Sequence, residues 1–242
     1  MISVGFKTDK GMIRNDNEDS IFVFPDKQVY MVADGVGGQS SGELASRMTV
    51  GYMAQFVALH PIPDSGNEIL LRQYFTQLFH GANKLVYDKA VSEPGNIGMA
   101  TTSLLCYLRE DTAYFVNVGD SRAYLVRDGQ IYQVTDDHSY VQTMLREGHI
   151  TKEEAEARPD KNMITRAIGG DKFVNPDFFT VKIYSGDTII MCSDGLYGEV
   201  DESTIANLAS NTNTMHRLAK DLVDAANKHG GGDNISVVCI RI

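Results

Sequence analysis

Tryptophan is absent from the 242 residues, cysteine occurs three times and proline six. Cys106, Cys192 and Cys239 sit inside apolar runs, an odd count with no CxxC or Cys/His spacing. A disulfide framework and a zinc ligand set are excluded. The thiols read as small buried residues of a reducing compartment. No apolar run nears the roughly 20 residues that cross a bilayer. The opening MISVGFKTDKG lacks the basic and apolar segments of a secretory leader. A cytoplasmic protein is expected, with no membrane partner. Positive charge is also short, 22 Lys and Arg against 32 Asp and Glu, net −10. That excludes the basic stripe of a nucleic-acid surface. An anionic substrate would need cationic charge supplied locally, and bound metal is the obvious source. Linker-like stretches, charge blocks and repeats are missing too, so residues 1–242 are expected to form one domain.

Alternating or β-rich runs are present in number: ISVGFKT, SIFVF, VYMVA, TTSLLCYL, AYFVNV, AYLVR, QIYQV, FFTVKIY, TIIMC and ISVVCIRI. About ten strands imply two sheets. Three helical stripes separate them, each read as one buried helix face: Leu44, Met48, Tyr52, Phe56 and Leu59; Leu71, Phe75, Leu78, Ala82 and Leu85; and Met215, Leu218, Leu222, Val223 and Ala226. The order is strands, two helices, strands, a short helical insertion, strands, one helix and a last strand. This is not βαβ alternation, so the pattern predicts an α+β fold, an antiparallel β-sandwich with helices outside. The polar segment at about 139–160 reads as a flap insertion.

Acids recur at the ends of these runs. Asp34 follows VYMVA, Asp120 follows YFVNVG, Asp194 follows TIIMCS, Asp233 precedes NISVVCI, and Glu18 and Asp19 precede SIFVF. One Asp-Gly is ordinarily a turn, and Asp128-Gly129 between AYLVR and QIYQV reads as a plain hairpin. Several acids converging at one end of a sandwich are different, because clustered carboxylates repel and burying them costs several kcal/mol per charge without a cation. An all-oxygen ligand set selects Mg²⁺ or Mn²⁺. Two such ions are a common device for hydrolysing phosphate esters.

In order along the chain come RNDNED (14–19), VADGVGG, SGELAS (41–46), MATT (99–102), VGDSRAY (118–124), DDHS (136–139), TRAIG (165–169), SDGL (193–196) and GGDNIS (231–236). Together they resemble the motifs of the metal-dependent serine/threonine protein phosphatases, type 2C, in their bacterial single-domain form. The resemblance implies a four-layer αββα fold with helices on both sides of the sandwich. It implies phosphoserine and phosphothreonine hydrolysis by direct attack of a metal-activated water. Asp34 would bridge two Mn²⁺ or Mg²⁺ ions, with the Gly35 carbonyl on one and Asp194 and Asp233 on the other. Asp120 with Asp194 would hold a possible third. Glu18 and Asp19 would hold the waters around the ions, and Arg14 would bind the substrate phosphate. The partners implied are phosphoproteins, those of a serine/threonine kinase, acted on by a monomer.

Two departures stand out. Val36 occupies a place where many eukaryotic relatives carry histidine, so the general acid is sought in a water near Asp120 or in His138. Ala100 stands where the motif usually has glycine. Against the phosphatase stand two rival readings. A nucleotide-binding loop at DGVGG fails on glycine spacing and on the charge of Asp34. A catalytically silent phosphoprotein binder would be expected to have lost metal ligands, and Asp34, Asp194 and Asp233 all stand.

Overall fold

Each central strand is apolar on both faces, and that property builds the layers. In the computed structural model, which describes residues 2–38, 41–63, 67–156, 158, 160 and 163–242, Val29–Ala33 is buried at every position. Successive side chains point to opposite faces. Val29 and Met31 accordingly pack beneath helices, whereas Tyr30 and Val32 meet the other sheet. A strand of this kind needs a layer on each side.

The elements are β1 (Ser3–Asp9), β2 (Ser20–Phe24), β3 (Val29–Ala33), β4 (Gly35–Val36), α1 (Ser41–Leu59) and α2 (Glu68–Ser92). Then follow β5 (Ala100–Thr101), β6 (Ser103–Arg109), β7 (Thr112–Val118), β8 (Arg122–Arg127) and β9 (Gln130–Gln133). The flap carries α3 (Tyr140–Arg146) and α4 (Lys152–Glu156); its positions 157 and 159 lie outside the described residues. The chain closes with β10 (Asp177–Lys182), β11 (Thr188–Cys192), α5 (Asp194–Tyr197), α6 (Glu202–Asn211), α7 (Met215–His229) and β12 (Ile235–Arg241).

Two five-stranded sheets result, ordered β1-β12-β11-β8-β9 and β10-β7-β6-β3-β2, with β4 and β5 as a small separate pair. All pairings are antiparallel. Three cores separate four layers. Phe75, Leu78 and Phe79 of α2 and Met53 of α1 cover Met31, Leu105 and Val116. Leu104, Phe115, Met191 and Val238 fill the space between sheets. Leu218, Leu222 and Ala226 of α7 cover Ile190, Val237 and Cys239. Each large side chain so buried stabilises the fold by about 1.5–3 kcal/mol before the entropy of ordering it is set against it.

The expected sandwich with helices on both sides is therefore observed, and the three cysteines are free and buried. Asp128 and Gly129 both take positive φ, 51° and 77°, as a type I′ hairpin turn requires. Two expectations are corrected: Leu59, at the end of α1, and Leu85 of α2 are exposed and lie outside the buried stripes, and three helices, not one, lie between β11 and β12. In α6 the buried positions Ile205, Ala206 and Ala209 form too small a stripe to stand out from sequence, and its start is fixed by an Asp201 cap. Among the described residues no helix is long and apolar enough to cross a membrane.

Candidate metal centre

Strand register gathers the acids. Ser20 pairs with Ala33, so the residues before β2, Glu18 and Asp19, lie beside the residue after β3, Asp34. Val32 faces Leu104 and Ser103 faces Val118, which brings Asp120 to the same end. In the other sheet Cys192 faces both Arg122 and Val237, placing Asp194 and Asp233 at its corresponding end.

Ordinary polar side chains sew the two sheets together there. The Asp34 amide donates to Thr102 Oγ1 at 2.9 Å, and the Asp34 carbonyl accepts from Thr102 N at 2.8 Å and Thr101 Oγ1 at 2.7 Å. Thr102 Oγ1 lies 2.7 Å from Ser121 Oγ, next to Asp120. Ser193 Oγ donates to Asp19 Oδ2 at 2.8 Å and accepts from the Ser236 amide at 3.0 Å. Asn234 Oδ1 accepts from Glu18 N at 2.8 Å, while its Nδ2 holds the Lys10 and Asp16 carbonyls. The motifs containing Thr102, Ser193 and Asn234 were visible in sequence; their cross-sheet role was not.

Gly35 is required for packing. A Cβ there would come within 2.1 Å of the Gly42 carbonyl oxygen in the first turn of α1 and 2.7 Å of the Glu18 carbonyl oxygen. Helix and loop occupy that direction whether or not the Gly35 carbonyl binds anything.

The acids share one electrostatic environment. Burial pushes Asp19 up to about 7, against hydrogen bonds from Ser236 and Ser193, and Asp194 and Asp233 raise it further. Burial and then Asp194 and Asp137 push Asp120 up to about 7. Asp34 is raised well above the usual carboxylate range by burial, with Asp19, Asp194, Asp120 and Asp233 all contributing. Burial and then Asp233 raise Asp194 to about 6, opposed by a hydrogen bond from Asp34. Glu18 is raised by burial and lowered by Arg14. Asp19 Oδ1 and Asp194 Oδ1 are buried without a hydrogen-bond partner. Among the described residues no three His, Cys, Asp or Glu side chains are drawn into a closed ligand group. The acids raise one another's pKa, and two of their hard oxygens are buried without a partner. That donor chemistry fits a hard divalent cation.

Arg14 stands at the rim, its side chain half exposed, with Nη2 donating to Asp233 Oδ2 at 2.7 Å. Val36 is exposed beside this end and Ala100 is buried opposite it in β5. His138 is 7% exposed, its Nδ1 accepts from Gly119 N at 3.0 Å and its Nε2 meets Asp177 Oδ2 at 3.1 Å. Burial, with Arg166 adding to it, lowers its pKa, so it is neutral and fully engaged. Its one ring proton is directed at Asp177 Oδ2, which weighs against His138 as the general acid.

A family model described as protein phosphatase 2C matches residues 8–230. The chain belongs to the protein phosphatase 2C family. Its relatives in this family include the serine/threonine phosphatase stp of Listeria monocytogenes serovar 1/2a, 35% identical over 239 residues, 98% of this chain and 94% of that one. Among solved structures, the Streptococcus agalactiae serine/threonine phosphatase superposes with a TM-score of 0.92 at 31% identity, covering 100% of both chains. The catalytic domain of serine threonine protein phosphatase PstP, solved with two manganese ions, superposes at 0.86 with 31% identity, covering 99% of this chain and 97% of that one.

Proposed function

We propose that this protein phosphatase 2C family member hydrolyses phosphoserine and phosphothreonine in proteins, as a metal-dependent phosphatase. The observation that carries this reading is the set of mutually raised acids, Asp19, Asp34, Asp120 and Asp194, at one end of the sandwich with the Arg14–Asp233 pair at its rim. When bound, Mn²⁺ or Mg²⁺ ions supply Lewis-acid charge and lower the pKa of the attacking water. Asp34 and the Gly35 carbonyl would hold one ion, Asp34 with Asp194 and Asp233 a second, and Asp120 with Asp194 a possible third. Glu18 and Asp19 would orient water around them. Arg14 would share its fork of donors between Asp233 and two phosphate oxygens, fixing the phosphorus for in-line displacement. Because the one ring proton of His138 is directed at Asp177, protonation of the leaving serine or threonine oxygen is assigned to the Asp120 side.

The relatives named above support a serine/threonine substrate, and we infer that the phosphoproteins acted on are those of a serine/threonine kinase. We place it in the cytoplasm as a monomer, on its reduced buried cysteines and its lack of an extra apolar stripe. The silent alternative has no lost ligand to support it. The test is hydrolysis of a phosphothreonine peptide by chelator-stripped protein as Mn²⁺ or Mg²⁺ is titrated back, with Asp194→Ala as control. Activity that appears with metal and collapses in the variant is the expected result. Silence across both titrations, on the peptide and on an aryl phosphate alike, would sink the proposal in favour of a phosphoprotein binder.

A further inference from the structure

His138 is bound to the loop bearing Asp120 twice over. Its ring Nδ1 accepts from the Gly119 amide at 3.0 Å, and its own amide donates to the Gly119 carbonyl at 2.9 Å. Gly119 takes φ +108°, a conformation side chains rarely adopt, and a Cβ there would lie 2.6 Å from Thr102 Cβ. The peptide leading into Asp120 is therefore unusual in shape and pressed against the same threonine that holds Asp34. Asn117 Nδ2 bridges the Gly119 and Asp136 carbonyls, closing the loop from beneath.

The far side of the ring reaches the base of the flap. Because Nδ1 accepts, the ring proton sits on Nε2 and donates to Asp177 Oδ2 at 3.1 Å. Asp177 Oδ1 takes the Arg166 guanidinium at 2.7 Å, and Arg166 also holds the Asn175 carbonyl at 2.9 Å. The His138 carbonyl accepts from Thr165 N at 2.7 Å. The next residue, Ser139, caps α3 and bridges Ile164. From the opposite flank Tyr197 donates to the Asp120 carbonyl at 3.0 Å, itself under the Arg122 guanidinium 3.7 Å from its ring centre.

We propose that His138 is a positioning residue: it fixes the Gly119–Asp120 peptide and ties it through Asp177 and Arg166 to the base of the flap, and turnover depends on that hold. The kinetic half of this inference rests on the phosphatase reading above. The structural half does not. Its two ring contacts can be separated chemically. The Oδ1 of His138→Asn stands where Nδ1 stood and can still take the Gly119 amide. The longer His138→Gln places its polar group near Nε2 and leaves that amide without a partner.

The experiment measures amide exchange over residues 118–122 in metal-free protein, together with kcat and KM on a phosphothreonine peptide with Mn²⁺. In His138→Gln, exchange over that segment should quicken by about tenfold or more, as expected for a locally opened unit. Its kcat should fall by about 10- to 100-fold, the usual loss when the partner of a metal-site residue is removed, with KM unchanged. The His138→Asn variant should restore both toward wild type. Equal losses in the two variants, or a His138→Gln kcat equal to wild type, would overturn the inference. So would unchanged exchange at 118–122 with a fall in thermal midpoint alone, since that marks a general structural role. A wild-type chain inactive on phosphopeptide would defeat the phosphatase reading and the dependence of turnover on His138, while exchange alone would still decide whether His138 holds the loop.

Discussion

Replacing Asp120 with asparagine should stabilise the metal-free protein at neutral pH while reducing its activity. Asp120 is 6% exposed and its folded-state pKa is pushed from 3.8 up to about 7, by burial first and then by Asp194 and Asp137. A carboxyl whose folded pKa is raised contributes stability that is fully present below about pH 4 and lost as pH rises through about 7. Each pH unit inside that window costs about 1.4 kcal/mol for one proton. The slope halves at the pKa itself, so between pH 5 and 7 the wild type should lose about 2 kcal/mol at this residue alone. Asparagine does not titrate, so the difference Asp120→Asn minus wild type cancels groups not coupled to Asp120, among them His138, whose lowered pKa works in the opposite direction; Asp34 and Asp194, which are coupled to Asp120, shift with it. At about 2–4 °C per kcal/mol for a chain of this size, the variant's thermal midpoint should gain roughly 4–8 °C on wild type across that interval. The assay is differential scanning calorimetry of both proteins after chelation, from pH 5 to 8. Mn²⁺ should shrink the gap, since bound cation stabilises the ionised wild type. A midpoint difference independent of pH, or one that moves against the variant as pH rises, refutes the claim that Asp120 is held protonated by its neighbours.

Gly35→Ala should cost about 3 kcal/mol or more, because its Cβ would meet the Gly42 backbone and neither segment can retreat without moving α1; urea unfolding measures this. Ser193→Ala leaves the buried Ser236 amide without its side-chain acceptor and removes the bond to Asp19. A loss of about 2 kcal/mol is expected in the same assay, and an unchanged midpoint would contradict the frame described above. Arg14→Lys should raise KM for a phosphothreonine peptide by about tenfold, since a point charge replaces a planar fork. Stability should hardly change, because the pair with Asp233 is half exposed and worth at most about 1 kcal/mol.

The layers were legible in sequence because the strands between them are continuous apolar runs. VYMVA and TIIMC leave no polar face, and only a layer on each side accommodates that. Helix α6 was not legible, since ESTIANLASN buries only an isoleucine and two alanines. The β4–β5 pair was hidden for another reason: two residues on each side carry no periodicity, and the pairing is imposed by where β3 and β6 already stand. The site residues expected from spacing, Glu18, Asp19, Asp34, Asp120, Asp194 and Asp233, come to one end as expected. Ser193, Asn234, Thr102 and Tyr197 went unassigned because serine, asparagine, threonine and tyrosine gain their roles here only through register across two sheets. At His138 the sequence shows a titratable ring and not that both of its nitrogens are already engaged.

Asp34 illustrates what separates a turn acid from one with another purpose. Its backbone is spent entirely on Thr101 and Thr102, its φ is not left-handed, and its carboxyl makes none of the local bonds that turn acids make. Asp201 shows the opposite pattern: its carboxylate caps α6 by accepting from Ser203 and Thr204, and those bonds bring it down to about 2. Asp187 is likewise lowered, its burial outweighed by Arg127 and the Tyr184 amide. Asp177 is lowered by Arg166 and His138 against its burial. Acids that hold the fold together have been given donors, and the donors favour the charged form. Asp19, Asp34, Asp120 and Asp194 are buried among one another with too few donors to compensate, so their pKa values are raised. The direction of the shift thus sorts acids that look alike in sequence, each near a glycine or a strand end. A fold that keeps four under-compensated carboxylates at one end of its sandwich bears a standing cost in stability there, and a cation that binds them would relieve it.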